Sequence, residues 1–190
     1  AELESVLGHS FPEGSIVATF HPVTTEPGEA EHQTQQFLDA LRQFGRPVLL
    51  TMPNADPGGL AVRRIVARFA EEPWLHIHEN LGQKLYVAVM ANAGLMAGNS
   101  SSGIIEAASF DLPVVNVGDR QQGRERSGNV IDSPCTTEGV LEALHLAVGD
   151  PSLGHHPNIY GDGKAARRIV EVLSSVELGP RLIKKPFVDR

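Results

Sequence analysis

The chain has one cysteine, Cys135, in 190 residues. That excludes an internal disulfide framework and suits a reducing compartment. It lacks a positive excess, since 16 Lys and Arg stand against 23 Asp and Glu for a net charge of −7. A broad nucleic-acid surface and an anionic membrane are therefore poor partners. Its apolar runs are short and broken by Gly and charge, so no transmembrane span is expected. No basic segment followed by an apolar stretch opens the chain, so no secretory signal is read and the expected location is cytoplasmic. With 41% hydrophobic and 21% charged residues, disorder and coiled coil are also excluded.

Aromatics are scarce at 5%, beside 19 Gly and 13 Pro. Gly and Pro placed between apolar runs predict many short loops at strand ends. The runs are Ser15–Phe20, Pro47–Met52, Leu75–His78, Gly94–Gly98, Pro113–Val117 and Asn129–Ile131. Between them lie helical patterns at 31–44, 60–71, 83–93, 102–110 and 137–148, then another at 163–176 and a basic tail over 179–190. In the first, Phe37, Leu38, Leu41 and Phe44 form one apolar face, and Gly45 supplies the stop. Strands that are apolar throughout belong to a sheet covered on both faces. Strict alternation predicts an α/β fold, a doubly wound parallel sheet of about six strands. At roughly 150 residues per domain the length fits a single domain over 1–190, with 163–190 as terminal helix and tail. The chain opens at Ala1, not Met, inside a helical pattern, which raises the expectation of a piece of a longer protein.

In such a sheet ligands sit beyond the carboxyl ends of the strands, so the polar residues after each strand are the candidates. After the fourth run comes Gly98-Asn-Ser-Ser-Ser-Gly-Ile-Ile-Glu106. Ser100, Ser101 and Ser102 are N-cap candidates whose free N–H groups suit an anion. Glu106, about a turn further on, suits a ribose diol; the plain alternative is an ordinary cap with a surface Glu. The second Gly comes one residue too late for a Gly-x-Ser-x-Gly nucleophile elbow, which excludes that serine-hydrolase signature. After the fifth run, Gly118-Asp-Arg-Gln-Gln-Gly-Arg-Glu-Arg126 places three arginines in seven residues. Guanidinium forks hold phosphate, and the alternative is a solvated loop paired through Asp119 and Glu125. His21, at the first strand end, fits a general acid or a phosphate contact, against a structural histidine. Neither His76 with His78 nor His155 with His156 makes a convincing metal site, so no metal and no cofactor are expected. Gly161-Asp-Gly-Lys-Ala-Ala166 mimics a dinucleotide fingerprint but follows a loop, so Asp162 reads as a helix N-cap.

Together GNSSSGIIEA (98–107), VNVGDRQQGRE (115–125), TFHPVT (19–24), PNADPGG (53–59) and YGDGKAARRI (160–169) resemble the hydrolysing UDP-N-acetylglucosamine 2-epimerases, in family order. The resemblance implies the C-terminal, Rossmann-like half of a GT-B fold, with UDP and UDP-GlcNAc as ligands and the N-terminal domain as missing partner. It implies that Ser100 and Ser101 contact diphosphate or ribose, that Glu106 holds the ribose and that Arg120 lies against the diphosphate. His21 would touch the UDP part and assist chemistry. The segment from His78 to Gly82, centred on Leu81, would border the uracil through backbone groups; Arg124 and Arg126 receive no contact. The implied reaction eliminates UDP and hydrates the product to N-acetylmannosamine, for sialic-acid-type sugars, in a homo-oligomer. The family's catalytic carboxylates lie in the N-terminal domain, so this chain by itself is expected to be inactive. The competing readings are a GT-B glycosyltransferase donor domain and a non-catalytic Rossmann-like interaction module.

Overall fold

The computed structural model describes residues 2–26 and 28–184. Six strands form one sheet: β1 (Ile16–Thr19), β2 (Val48–Thr51), β3 (Leu75–His78), β4 (Leu95–Gly98), β5 (Val114–Val117) and β6 (Val130–Ser133). Every pairing is parallel, in the order β3-β2-β1-β4-β5-β6. The order reverses between β1 and β4, which opens a crevice at their carboxyl ends. Thr19 is in register with Thr51 on one side and Gly98 on the other, so these strands end in a row.

The helices are α1 (Glu2–Leu7), α2 (Ala30–Phe44), α3 (Gly59–Ala67), α4 (Gly82–Asn92), α5 (Ser101–Ile105), α6 (Thr137–Gly149), α7 (Ala165–Ser175) and α8 (Pro180–Ile183). One core packs α2, α3 and α6 on the side of Ile16, Ala18, Val48 and Leu50. The other packs Leu7 of α1 and Val89 and Met90 of α4 on the side of Val17 and Leu49. Alternate residues of one strand thus feed opposite layers, the reason the strands are apolar throughout. On α2, Phe37, Leu38 and Leu41 are 0% exposed, and Phe44 packs at the edge. Each wholly buried side chain of this size contributes about 1.5–3 kcal/mol.

Three local expectations shift. The helix expected over 102–110 breaks: α5 ends at Ile105 and a 3-10 turn runs Ala107–Phe110, closed by Asp111 at φ 51°. Gly103 lies close against Val114 and Met96, so α5 hugs the sheet and the chain tightens to return to β5. The sixth strand begins one residue later than expected and extends to Ser133. Lys164, not Asp162, occupies the cap position of α7; Asp162 instead accepts the Lys164 N–H and pairs with Arg168.

The chain divides into two compact units, one ending at Ile159 and the other beginning at Tyr160. The second contains α7 and α8, the latter inside the expected basic tail; residues 185–190 of that tail lie outside the described residues. Among the described residues no helix is long and apolar enough to cross a membrane.

Candidate functional site

A cavity of about 740 Å³ opens at the carboxyl ends of β1 to β4. Its wall includes His21, Leu81, Ser100, Ser101 and Arg120, five of the six residues selected from sequence. Glu106 is exposed and does not line the cavity, although its carboxylate is close enough to Tyr86 to act on that phenol.

His21 is 6% exposed and held at both backbone groups by one side chain. Its N–H donates to Asn99 Oδ1 at 2.7 Å, and Asn99 Nδ2 donates to its carbonyl at 2.8 Å. Asn99, fully buried, thereby ties the β1 exit to the β4 exit. The Asn54 N–H points at His21 Nδ1 from 3.4 Å, which makes Nδ1 an acceptor and leaves the proton on Nε2. Burial, and then the Arg120 cation, lower the His21 pKa to about 4, with Asp56 opposing. At neutral pH this imidazole is a neutral N–H donor rather than a ready acid.

Arg120 reaches across from the loop after β5. Its Nη1 donates to the Asn99 carbonyl at 3.0 Å, an oxygen shared with Gln121 Nε2 at 2.9 Å. Burial opposes the Arg120 charge most and Asp56 supports it, leaving a cation on the cavity wall. Arg126 does a different job: it pairs with Asp132 of β6 at 3.0 Å and caps the carbonyls of Arg124 and Gln121. The arginine loop is thus anchored to β6 through Asp132, while Arg120 faces the site.

Ser100 caps α5, accepting from the Ser102 N–H at 3.4 Å. A helix of five residues has little macrodipole, so the useful donors here are the hydroxyls and first-turn N–H groups. Across the cavity the Asn80 side chain accepts the Gly82 N–H at 2.6 Å and closes the turn that holds Leu81. At the rim Arg63 Nη1 donates to both oxygens of Glu79, at 2.6 and 2.9 Å.

Thr19, Thr51, Arg63 and Tyr86 also line the cavity and were not selected from sequence. The threonines face the site only through the strand register. Tyr86 carried a fainter signal, four residues after Gly82 on the same side of a helix following a candidate loop. His76 and His78 meet His9: the His9 and His76 rings stack at 3.8 Å, and His9 Nε2 lies 2.9 Å from His78 Nε2. Among the described residues no group of three or more His, Cys, Asp or Glu is arranged to hold a metal ion.

A family model for UDP-N-acetylglucosamine 2-epimerase matches residues 2–174. A UDP-N,N'-diacetylbacillosamine 2-epimerase (hydrolyzing) of Legionella pneumophila is 38% identical over 166 residues, 87% of this chain and 44% of that protein. A GDP/UDP-N,N'-diacetylbacillosamine 2-epimerase (hydrolyzing) of Campylobacter jejuni is 34% identical over 135 residues, 70% of this chain and 35% of that protein. The chain therefore spans less than half the length of these relatives. A crystal structure of UDP-GlcNAc 2-epimerase from Neisseria meningitidis, bound to UDP-GlcNAc, superposes with a TM-score of 0.73 at 19% identity. That match covers 92% of this chain and 48% of that one, and it carries the fold alone.

Proposed function

Because the chain belongs to the UDP-N-acetylglucosamine 2-epimerase family, we propose that it is the UDP-binding half of a hydrolysing 2-epimerase. The substrate is a UDP-2-acetamido sugar, UDP-GlcNAc or a relative altered at C4 or C6. The observation that carries this reading is the single cavity that gathers Ser100, Ser101, Arg120 and the neutral His21. Hydroxyls, a guanidinium and an imidazole N–H are donors suited to a diphosphate. Leu81 borders the base through the backbone of its turn, and Glu106 reaches the ribose from outside the wall.

In the proposed reaction a base removes the proton at C2, the C1–O bond breaks, and UDP leaves with the electron pair. Water then adds to the unsaturated sugar, its hydroxyl going to C1 and a proton to C2, which yields N-acetylmannosamine or its analogue. The donors named above stabilise the charge that grows on the leaving diphosphate. The catalytic carboxylates belong to the N-terminal half of the enzyme. No metal or cofactor enters, the setting is cytoplasmic, and the whole enzyme is a homo-oligomer.

Isothermal titration of this chain with UDP, and in parallel with GDP, tests the reading. UDP binding in the micromolar to millimolar range is expected, with GDP weaker. A folded chain that gives no heat with UDP at millimolar concentration overturns it.

A further inference from the structure

β4 stops pairing with β1 where Gly98 meets Thr19, yet the two strand exits stay joined. Gly98 turns the backbone at φ 129°, and the Asn99 N–H still reaches the Thr19 carbonyl at 3.2 Å. From there the side chain continues the ladder. Asn99 Oδ1 accepts the His21 N–H and Asn99 Nδ2 donates to the His21 carbonyl, as the next strand residue would have done. An amide side chain carries the donor and the acceptor that such a pairing needs; a carboxylate lacks the donor.

The Asn99 carbonyl meanwhile accepts from Arg120 Nη1 and Gln121 Nε2, which come from the loop after β5. One residue, 0% exposed, thus engages all four of its polar groups and reaches two other strand exits. The residues it holds, His21 and Arg120, both line the cavity, and Asn99 does not. A buried network so fully paired is stiff, because leaving any member unpaired is costly.

We propose that Asn99 is a positioning residue, whose side chain sets the His21 imidazole against the Arg120 guanidinium so that both donate to one diphosphate. The inference rests on the UDP reading and deepens that site. Burial and the nearby Arg120 cation are what hold the His21 pKa at about 4. A ring that swings out of place loses both causes, so its titration reports its position.

The experiment compares wild type, Asn99→Ser, His21→Ala and the double variant in titrations with UDP, and follows the His21 ring by NMR against pH. Serine keeps the backbone carbonyl that holds Arg120, so only the His21 arm is lost. Asn99→Ser is expected to weaken UDP about fivefold, the scale of one hydrogen bond. It is also expected to move the His21 pKa from about 4 toward 6.5. In the His21→Ala background the same change is expected to cost nothing more. Equal UDP affinity in Asn99→Ser overturns the proposal. So does an undiminished effect without His21, or a His21 pKa that stays near 4; all three leave the UDP reading standing. A wild-type chain that binds no UDP overturns both. Should circular dichroism show Asn99→Ser unfolded, Asn99→Asp replaces it in the titrations, with the same outcomes required. Should that unfold as well, the wild-type His21 amide decides: saturating UDP is expected to slow its deuterium exchange, and an unchanged rate overturns the proposal.

Discussion

Histidine and arginine divide the electrostatic work at the cavity, and each division is measurable. His21 is buried beside a cation, so its folded pKa of about 4 lies below the ordinary 6.5. The unfolded chain therefore binds a proton that the folded chain refuses between those two values. Stability is full above pH 6.5 and is lost as the pH falls toward 4. His76 and His78 add to the same slope, since burial first and His9 second lower both. A His21→Gln variant is expected to show a smaller drop in urea midpoint between pH 7 and pH 5 than wild type. An unchanged drop would remove His21 from the buried neutral class. On the proposed reading Arg120 acts on the ligand. Arg120→Ala is expected to weaken UDP by about 1.5–3 kcal/mol, the range for a charge-assisted hydrogen bond. Gln121 still holds the Asn99 carbonyl, so the loop keeps its anchor. Unaltered affinity by titration would make Arg120 part of the scaffold only. Glu106 stands outside the wall, and on the proposed reading it reaches the ribose from there. If it holds the ribose, Glu106→Ala narrows the preference for UDP over 2′-deoxy-UDP, as competition titration would show.

Strand ends, rather than whole strands, place these side chains. Gly98 is the tightest of them: at φ 129° a Cβ would stand 2.0 Å from the Thr19 carbonyl oxygen. No L side chain fits there, so β4 leaves the sheet against β1 and delivers Asn99 to Ser102 to the crevice. Gly103 is less demanding, since its added Cβ would meet the side chain of Val114 at 2.9 Å. Gly98→Ala is expected to cost several kcal/mol or prevent folding, and Gly103→Ala clearly less, by urea unfolding. Equal costs would mean that the backbone at Gly98 can shift. These elements also explain what could be read in advance. Val48-Leu49-Leu50 announces a doubly covered strand because burial on both faces leaves no polar position. The serine loop and Arg120 could be selected because hydroxyls and guanidinium follow strand ends in sequence, and the cavity wall includes them. Thr19, Thr51 and Tyr86 were not legible, because register and helix orientation bring them together from 67 positions of chain. The break after Ile105 was hidden too, since the distance back to β5 is set by the sheet and not by Ile-Ile-Glu-Ala-Ala.

At the scale of the molecule the described residues that line the cavity offer many donors and little to act as a base. Glu79 is the one carboxylate among the residues lining it, and it is tied to Arg63, which lowers its pKa further. A carboxylate so paired is a weak proton acceptor. His21 is no substitute, because its Nδ1 is turned to the Asn54 N–H and its Nε2 carries the proton. On the proposed reading the chain holds and stabilises the departing diphosphate and does not itself take the proton from carbon. The expectation is that this chain, given UDP-GlcNAc in D2O, neither releases UDP nor exchanges the C2 hydrogen, although it binds the nucleotide. The protein of full family length should do both without any acceptor sugar, and free N-acetylmannosamine should accumulate. Proton NMR of the C2 position with a coupled assay for UDP reads both outcomes. Exchange by this chain alone would show that a base is present in the cavity, and would point first to Glu79 released from Arg63.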